Sequence, residues 1–338
     1  MNHRMIEAAR PAEIGRAESF LGLIEPKLVA TEEIFRAHLA SDVPFLNQAG
    51  AYIFAGGGKR MRPALLLLVS RLLGRDSDEE CTYAAVVEYI HTATLIHDDI
   101  IDHAALRRGQ RTPNELWGNS LTVLLGDWLY TKAMKMALAW DNQPVIDRLC
   151  GATLRMTEGE LLTLSRLGAG DVSVDEYYEI IDRKTAQLFA AACSVPALMR
   201  PVRREAVEPL ERYGRNLGLC FQIVDDLLDY TASERDLGKP VLSDLKEGKL
   251  TLPLLLLLPR IGRSERAMLE QVLADRSFER VEPARILELV AREGTLDEAA
   301  AAARSHAGAA KEALADLPNG DARSALEFAP DFVLHRRA

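Results

Sequence analysis

The 338-residue chain is poor in the features that mark specialised protein classes. Its four cysteines, Cys81, Cys150, Cys193 and Cys220, lie far apart with no Cys-x-x-Cys spacing. Neither a zinc site nor a disulfide framework is suggested, and a reducing cytoplasm is the expected location. Positive charge is not in excess, since 41 Lys and Arg face 50 Asp and Glu for a net charge of -9. That balance argues against sequence-independent binding to nucleic acid, so any basic site must be local. Long apolar runs are missing too: Ala64 to Val69 and Leu254 to Leu258 fall well short of the roughly 20 residues that span a bilayer. The first twenty residues interrupt their apolar positions with charge and so lack the core of a signal peptide. A soluble protein is expected. No nucleophile stands beside a general base and no Gly-x-Ser-x-Gly element occurs, so covalent catalysis is not indicated.

What is present is 48% hydrophobic residues, enough for a sizeable core, arranged with helical periodicity. Ala84, Val87, Ile90, Ala93, Leu95 and Ile96 illustrate the pattern. With few β-branched clusters or hairpin turns, the chain reads as all-α, with about ten helices or more separated by Gly/Pro/Asp breaks. The breaks are GGGKRMRP (56–63), GRDSDEE (74–80), RRGQRTP (107–113), AWDNQP (139–144), LGAGD (167–171), SERDLGKP (233–240) and DLPNGD (316–321). None is a long linker, so one domain over 1–338 is expected, with 1–20 as an N-terminal arm. An Ala-rich stretch from Glu298 towards Ala315 is expected to form a surface helix.

Two acidic constellations carry the chemistry. In the first, His91 to Asp102, an apolar helix becomes acidic in its last turns, and positions 91, 95, 98 and 102 share a face. Asp98 and Asp102, at i and i+4, lie roughly 5 to 6 Å apart at Cβ, so their charges repel unless a cation sits between them. Carboxylate oxygens are the ligands that hard magnesium prefers. The second, Phe221 to Tyr230, repeats the pattern with Asp225, Asp226 and Asp229 after apolar helix. One such triplet is ordinarily a solvated surface. Two copies embedded in hydrophobic sequence read better as facing walls of one metal site, because burying unpaired carboxylates is costly.

Basic residues fall at the breaks. Gly56 to Pro63 joins a flexible turn to Lys59, Arg60 and Arg62, yet lacks the Ser/Thr and preceding strand of a phosphate-binding P-loop. Arg107, Arg108 and Gly109 follow the first acidic helix, where cations suit the negative end of the helix dipole. Lys184-Thr185 interrupts an apolar stretch, and Lys239 and Lys249 flank the sequence after the second motif. Acidic and basic clusters together fit a pair of diphosphates, one held through magnesium and one directly by Lys and Arg.

With GGGKRMRP, HTATLIHDDIIDHAALRRG, LLGDWLY, EGELL, DRKTAQLF, FQIVDDLLDY and LGKPVLSDLKEGKLTLP in this order, the chain resembles the trans-type isoprenyl diphosphate synthases, or polyprenyl synthetases. The likeness runs from about Asn47 onward and is greatest to the long-chain, octaprenyl-type branch. It implies a bundle of antiparallel helices of the isoprenoid synthase type, usually a homodimer. It implies successive condensation of isopentenyl diphosphate onto an allylic diphosphate, with contact to a membrane surface for product release. Asp98, Asp102 and Asp225 look like ligands of about three magnesium ions, with Asp99, Asp226 and Asp229 completing the acidic walls. Arg107, Lys184, Lys239 and Lys249 match allylic diphosphate positions, and Lys59, Arg62, His91 and Arg108 match the isopentenyl diphosphate pocket. Thr185 and Gln222 match positions whose oxygens face the developing allylic cation. Ala93 and Thr94 stand where short-chain farnesyl synthases carry a bulky aromatic, which implies an open tunnel and a long product. His97 is expected to orient a carboxylate or pack locally.

Leu242 departs from a common glycine, Thr163 from a common glutamine, and Pro196 falls inside a helix that is normally continuous. The alternatives are a shorter-chain farnesyl or geranylgeranyl synthase, a class I terpene cyclase, and a non-catalytic partner subunit.

Overall fold

The computed structural model describes residues 11–57, 60–107, 109–231 and 240–336. Residues 1–10 of the expected arm lie outside that set, while 11–20 fall in the first helix. Seventeen α-helical segments are described, and the breaks read from the sequence fall at or between their ends, except SERDLGKP, which apart from Pro240 lies outside the described residues. Helices α1 (Pro11–Gly22), α2 (Glu25–His38), α3 (Pro44–Gly56) and α4 (Met61–Leu72) lead to α5 (Glu79–Ile101), which carries the first acidic motif. Then come α6 (Pro113–Trp117), α7 (Asn119–Leu138), α8 (Gln143–Ser165) and α9 (Val174–Ile181). A π-turn at Asp182–Ala186 runs on into α10 (Gln187–Leu198). Helix α11 (Arg204–Thr231) carries the second motif and is followed by α12 (Ser243–Lys246), α13 (Leu252–Leu257), α14 (Arg263–Asp275) and α15 (Pro283–Arg292). The last two are α16 (Thr295–Glu312) and α17 (Asp321–Leu334).

Local chemistry explains the starts. Glu79 and Glu80 occupy the first turn of α5, where negative charge suits the dipole, and Glu80 reaches back to the Ser77 backbone N–H at 2.8 Å. Ser173 and Glu176 form a reciprocal capping box on α9. Strand is confined, among the described residues, to β1 (Leu106–Arg107) and β2 (Gln110–Arg111), paired antiparallel with Leu106 opposite Arg111. Arg107 thus stands on a hairpin strand beyond the helix: α5 ends at Ile101 and Arg107 returns to it from β1 through Asp99.

The fully buried Tyr83, Tyr89, Tyr213, Phe189 and Leu66 belong to one continuous apolar core. Within it α5 packs on α7, α10 on α11, and α11 on α16. The last pairing corrects the surface-helix expectation for the Ala-rich stretch. Ala299, Ala303, Ala307 and Ala310 form a buried stripe, and helices faced with alanine approach closely without large side chains. Propensity alone misses this, because alanine suits exposed and buried helix alike. Pro196 stays within α10, which ends two residues later at Leu198. A different surface is apolar and outward-facing: Leu121, Leu124 and Leu138 on α7, and Leu154, Leu161 and Leu164 on α8, are all exposed.

Three glycines set the helices around the π-turn. A Cβ on Gly159 of α8 would lie 2.7 Å from the Lys184 backbone nitrogen. On α11, a Cβ at Gly214 would meet the Phe189 carbonyl oxygen at 2.5 Å, and one at Gly218 would meet the Ala186 Cα at 2.6 Å. No larger residue fits without moving a backbone, so α8 and α11 clamp the turn from two sides.

Candidate active site

The π-turn stands between the two acidic helices and links them. Lys184 Nζ pairs with Glu160 of α8, and its charge also acts on Asp98 of α5. Next to it, Thr185 Oγ donates a 2.7 Å hydrogen bond to Gln222 Oε1 on α11, one turn before Asp226. A π-turn widens the helix by one residue, and here it turns two consecutive polar side chains towards neighbouring helices.

On α5, burial pushes the Asp98 carboxyl up to about 6, with Glu160 and Asp102 adding to the rise and Lys184 and Arg107 opposing it. Asp99 is only 2% exposed and accepts a 2.7 Å hydrogen bond from Arg107 Nε. Asp102 receives the Lys249 ammonium at 3.1 Å, and Lys249 also reaches Glu247 at 2.8 Å. Burial works against the Lys249 charge, but Asp102, Glu247 and Asp244 outweigh it and hold its pKa above the ordinary value. This contact ties the segment after the second motif to the first motif.

On α11 the three aspartates differ in kind. Asp225 is paired with Arg336 Nη2 at 2.7 Å. Asp226 is buried and accepts from Tyr177 Oη at 2.6 Å and Gln222 Nε2 at 2.8 Å, and burial together with nearby Asp244 raises its pKa. Asp229, 1% exposed, accepts from the Ser243 and Asp244 backbone N–H groups at 3.2 and 3.1 Å. It thereby anchors α12, whose preceding residue, Leu242, has φ 58°. That left-handed backbone is the physical reason a glycine suits this position; here a leucine accepts the strain and its side chain is fully buried.

Arg62 is half-buried, its guanidinium 4.3 Å from the centroid of the Phe189 ring. Burial lowers its guanidinium to about 10, against the pull of Glu88 and Asp225. His91 is partly exposed on α5. Ala93 is buried and Thr94 partly so, its Oγ donating to the His91 carbonyl oxygen. His97 turns to α7, where its Nε2 lies 3.2 Å from the Val123 carbonyl oxygen and its ring fills the space a Gly126 Cβ would take. The same nitrogen lies 3.5 Å from the Asp127 carboxylate, so the ring both packs on α7 and faces an acid there. Deeper along α5, Tyr89 and Ile90 are buried, while on α7 Met134 is partly buried and Leu138 is 59% exposed. Thr163 bonds back to the Gly159 carbonyl oxygen at 2.9 Å. Lys59, Arg108 and Lys239 lie outside the described residues.

Sequence reasoning did not foresee Glu160, Tyr177, Glu247 or Arg336. Glu160 alone carried a signal, as the second acid of EGELL; the others acquire meaning only from the partners they meet.

The polyprenyl synthetase family pattern matches residues 43–290. The chain belongs to that family. Octaprenyl diphosphate synthase of Escherichia coli (strain K12) is 40% identical over 290 residues, 85% of this chain and 89% of the relative. A short chain isoprenyl diphosphate synthase of Methanothermobacter thermautotrophicus is 39% identical over 295 residues, 86% of this chain and 90% of the relative. The crystal structure of a polyprenyl synthase from Caulobacter crescentus CB15, complexed with calcium and isoprenyl diphosphate, superimposes with TM-score 0.90 at 38% identity, covering 95% of this chain and 98% of that one. This polyprenyl synthetase therefore has the all-α isoprenoid synthase fold and is a trans-prenyltransferase.

Proposed function

We propose that this trans-prenyltransferase condenses isopentenyl diphosphate with an allylic diphosphate and repeats the step to a long all-trans polyprenyl diphosphate. The observation that carries the reading is the convergence of Lys184, Lys249 and Arg107 on the aspartates of α5, with α11 joined to the same centre through Thr185 and Gln222. We take the chain as one domain over 1–338, with 1–20 as an arm, since both motifs serve one site.

The residues fit a divalent ion. Asp98 is a carboxylate whose burial is not fully compensated, and Asp102 and Asp225 hold side-chain cations that an ion could replace. Among the described residues, no three His, Cys, Asp or Glu side chains are arranged to hold an ion by themselves. That agrees with magnesium, which uses one or two carboxylates and completes its shell with phosphate oxygens and water. Asp98, Asp102 and Asp225 would hold about three such ions, with Asp99, Asp226 and Asp229 behind them. When bound, they neutralise charge on the departing diphosphate. Arg107, Lys184, Lys249 and Lys239 orient and neutralise that same group, while Arg62, His91, Lys59 and Arg108 hold isopentenyl diphosphate. The Thr185 and Gln222 oxygens face the allylic carbon as positive charge develops. No protein base is assigned to the final proton, which the released diphosphate accepts.

Sequence identity does not select product length, because relatives of both the octaprenyl and the short-chain kind stand at about the same distance. The small Ala93 and Thr94 favour a long product of about 30 to 50 carbons, since each added unit buries up to about 4 kcal/mol of apolar surface until something blocks it. The exposed leucines of α7 and α8 favour a homodimer through that face. Leu124→Glu with Leu161→Glu should shift the protein to monomer in sedimentation, and an unchanged assembly state contradicts this face. No described helix is long and apolar enough to cross a membrane. We propose a cytoplasmic location, with membrane-surface contact for product release.

The test is to incubate the purified chain with magnesium, farnesyl diphosphate and labelled isopentenyl diphosphate, then separate the dephosphorylated products. Long prenyl alcohols without cyclic hydrocarbon support the reading. Cyclic products would support a terpene cyclase, and no product a partner subunit.

A further inference from the structure

The pairing of Asp225 links the second acidic helix to a residue two positions beyond the last helix. Arg336 is not loosely attached: its backbone N–H donates to the Val333 carbonyl oxygen at 3.3 Å, continuing the end of α17. Its side chain is 10% exposed and its guanidinium lies 4.5 Å from the Phe221 centroid. Phe221 in turn meets Phe189 with ring centroids 5.3 Å apart and planes tilted by 43°, and the Arg62 guanidinium lies 4.3 Å from the Phe189 centroid. Each of the two contacting phenyl rings thus carries one guanidinium, and that of Arg336 also reaches Asp225.

The contact is a single one. Nη2 reaches the carboxylate, whereas Nε and Nη1 are buried with no hydrogen-bond partner among the described residues. A guanidinium has five N–H donors in a fork, and a strong hold on a carboxylate uses two of them side by side. A one-point contact is easier to displace. A divalent ion carries twice the charge and approaches a carboxylate oxygen to about 2.0 to 2.1 Å, so it competes well for the same oxygen. After displacement, the Phe221 face still offers the guanidinium a favourable surface.

We propose that Arg336 is a positioning residue that occupies the Asp225 carboxylate in the ligand-free enzyme, so that a divalent ion enters the second acidic helix only by exchanging with this guanidinium. The proposal rests on the reading of Asp225 as a metal ligand. Ion and guanidinium are mutually exclusive at one oxygen, and the apparent affinity for the ion is lowered by the fraction of molecules in which the pair is formed. Asp102 carries its own cation, Lys249 at 3.1 Å, so the exchange with Arg336 is confined to the site built on Asp225.

The experiment titrates Mn2+ alone into the full-length protein, reading free ion by its paramagnetic resonance signal. The proteins are wild type, Arg336→Met, Arg336→Gln, Asp225→Asn and the Asp225→Asn/Arg336→Met pair. Removing the guanidinium should tighten ion binding at the Asp225-dependent site on the order of ten-fold, the gain expected when a competing pair is released. In the Asp225→Asn background the same removal should change nothing, because the exchange acts only through that carboxylate. Equal affinity in wild type and both Arg336 variants overturns the proposal. So does a gain that persists without Asp225, which would reflect only the loss of a nearby positive charge. If no variant takes up Mn2+, the metal reading itself fails; ions bound equally by all variants defeat only the exchange.

Discussion

Gly159→Ala adds one methyl group to the middle of α8. Elsewhere on a helix this change gains up to about 1 kcal/mol, because alanine is the better helix former. Here the new Cβ would lie 2.7 Å from the Lys184 nitrogen and 2.8 Å from the Arg183 Cβ. Ordinary contact begins about 0.7 Å further out, so either α8 or the π-turn must shift by several tenths of an ångström. Overpacking of this kind costs about 1 to 3 kcal/mol, leaving a net loss of up to about 2 kcal/mol after the propensity gain. The effect on turnover should be larger, since the displaced backbone carries Lys184 and Thr185. A misplacement approaching 1 Å costs on the order of 10²-fold in rate. Gly308→Ala is the comparison, because its Cβ meets nothing within 4 Å. Urea midpoints and prenyl transfer rates of the two variants decide the matter. Gly308→Ala should be slightly stabilised and fully active, whereas Gly159→Ala should be less stable and at least ten-fold slower. If the two variants behave alike, the clamp on the π-turn is wrong.

Three further outcomes follow from the same geometry. Leu242→Gly should be more stable than Leu242→Ala by about 1 kcal/mol, because both lose the buried side chain but only glycine relieves φ 58°; denaturant titration giving the reverse order contradicts the strained turn. Asp98 titrates near 6 when folded against a reference of 3.8, so the folded state binds its proton more tightly than the unfolded chain. Metal-free protein should accordingly lose stability as pH rises between those values, by up to about 3 kcal/mol, and Asp98→Asn should flatten that slope; an unchanged slope in urea midpoints would mean the carboxyl is not burdened by burial. Ala93→Tyr should shorten the product by filling the passage one turn before Asp98, since a ring cannot be accommodated there without displacing the chain; a product of unaltered length under the same substrate ratio refutes the tunnel.

Much of this was legible in the sequence for a definite reason. A repeated Asp triplet inside apolar helix is conspicuous because its burial is costly, and both copies stand on long helices near one π-turn. Helix breaks were legible because Gly, Pro and Asp act locally. What escaped depends on partners distant in the chain. Nothing near Asp225 indicates Arg336, and nothing near Lys184 indicates that Gly159, Gly214 and Gly218 are needed for close approach. The alanine stripe of α16 was misread because composition reports residue type, whereas burial depends on which face a neighbour covers. Arg107 was placed at a helix end because a two-residue hairpin is too short to leave a periodic signal.

In the ligand-free site, cations that should meet a diphosphate already hold a carboxylate: Lys184 has Glu160, Lys249 has Asp102 and Glu247, Arg107 has Asp99. At these three residues an incoming anion meets positive charge that is already matched and must outcompete several acids at once. A diphosphate, with its high charge and many oxygens, replaces them together, whereas a monophosphate offers fewer contacts for the same disruption. On the proposed assignment of these cations, the arrangement would select by valence before the hydrocarbon is tested, and would let a net-acidic enzyme keep a cationic centre from collecting ordinary cellular anions.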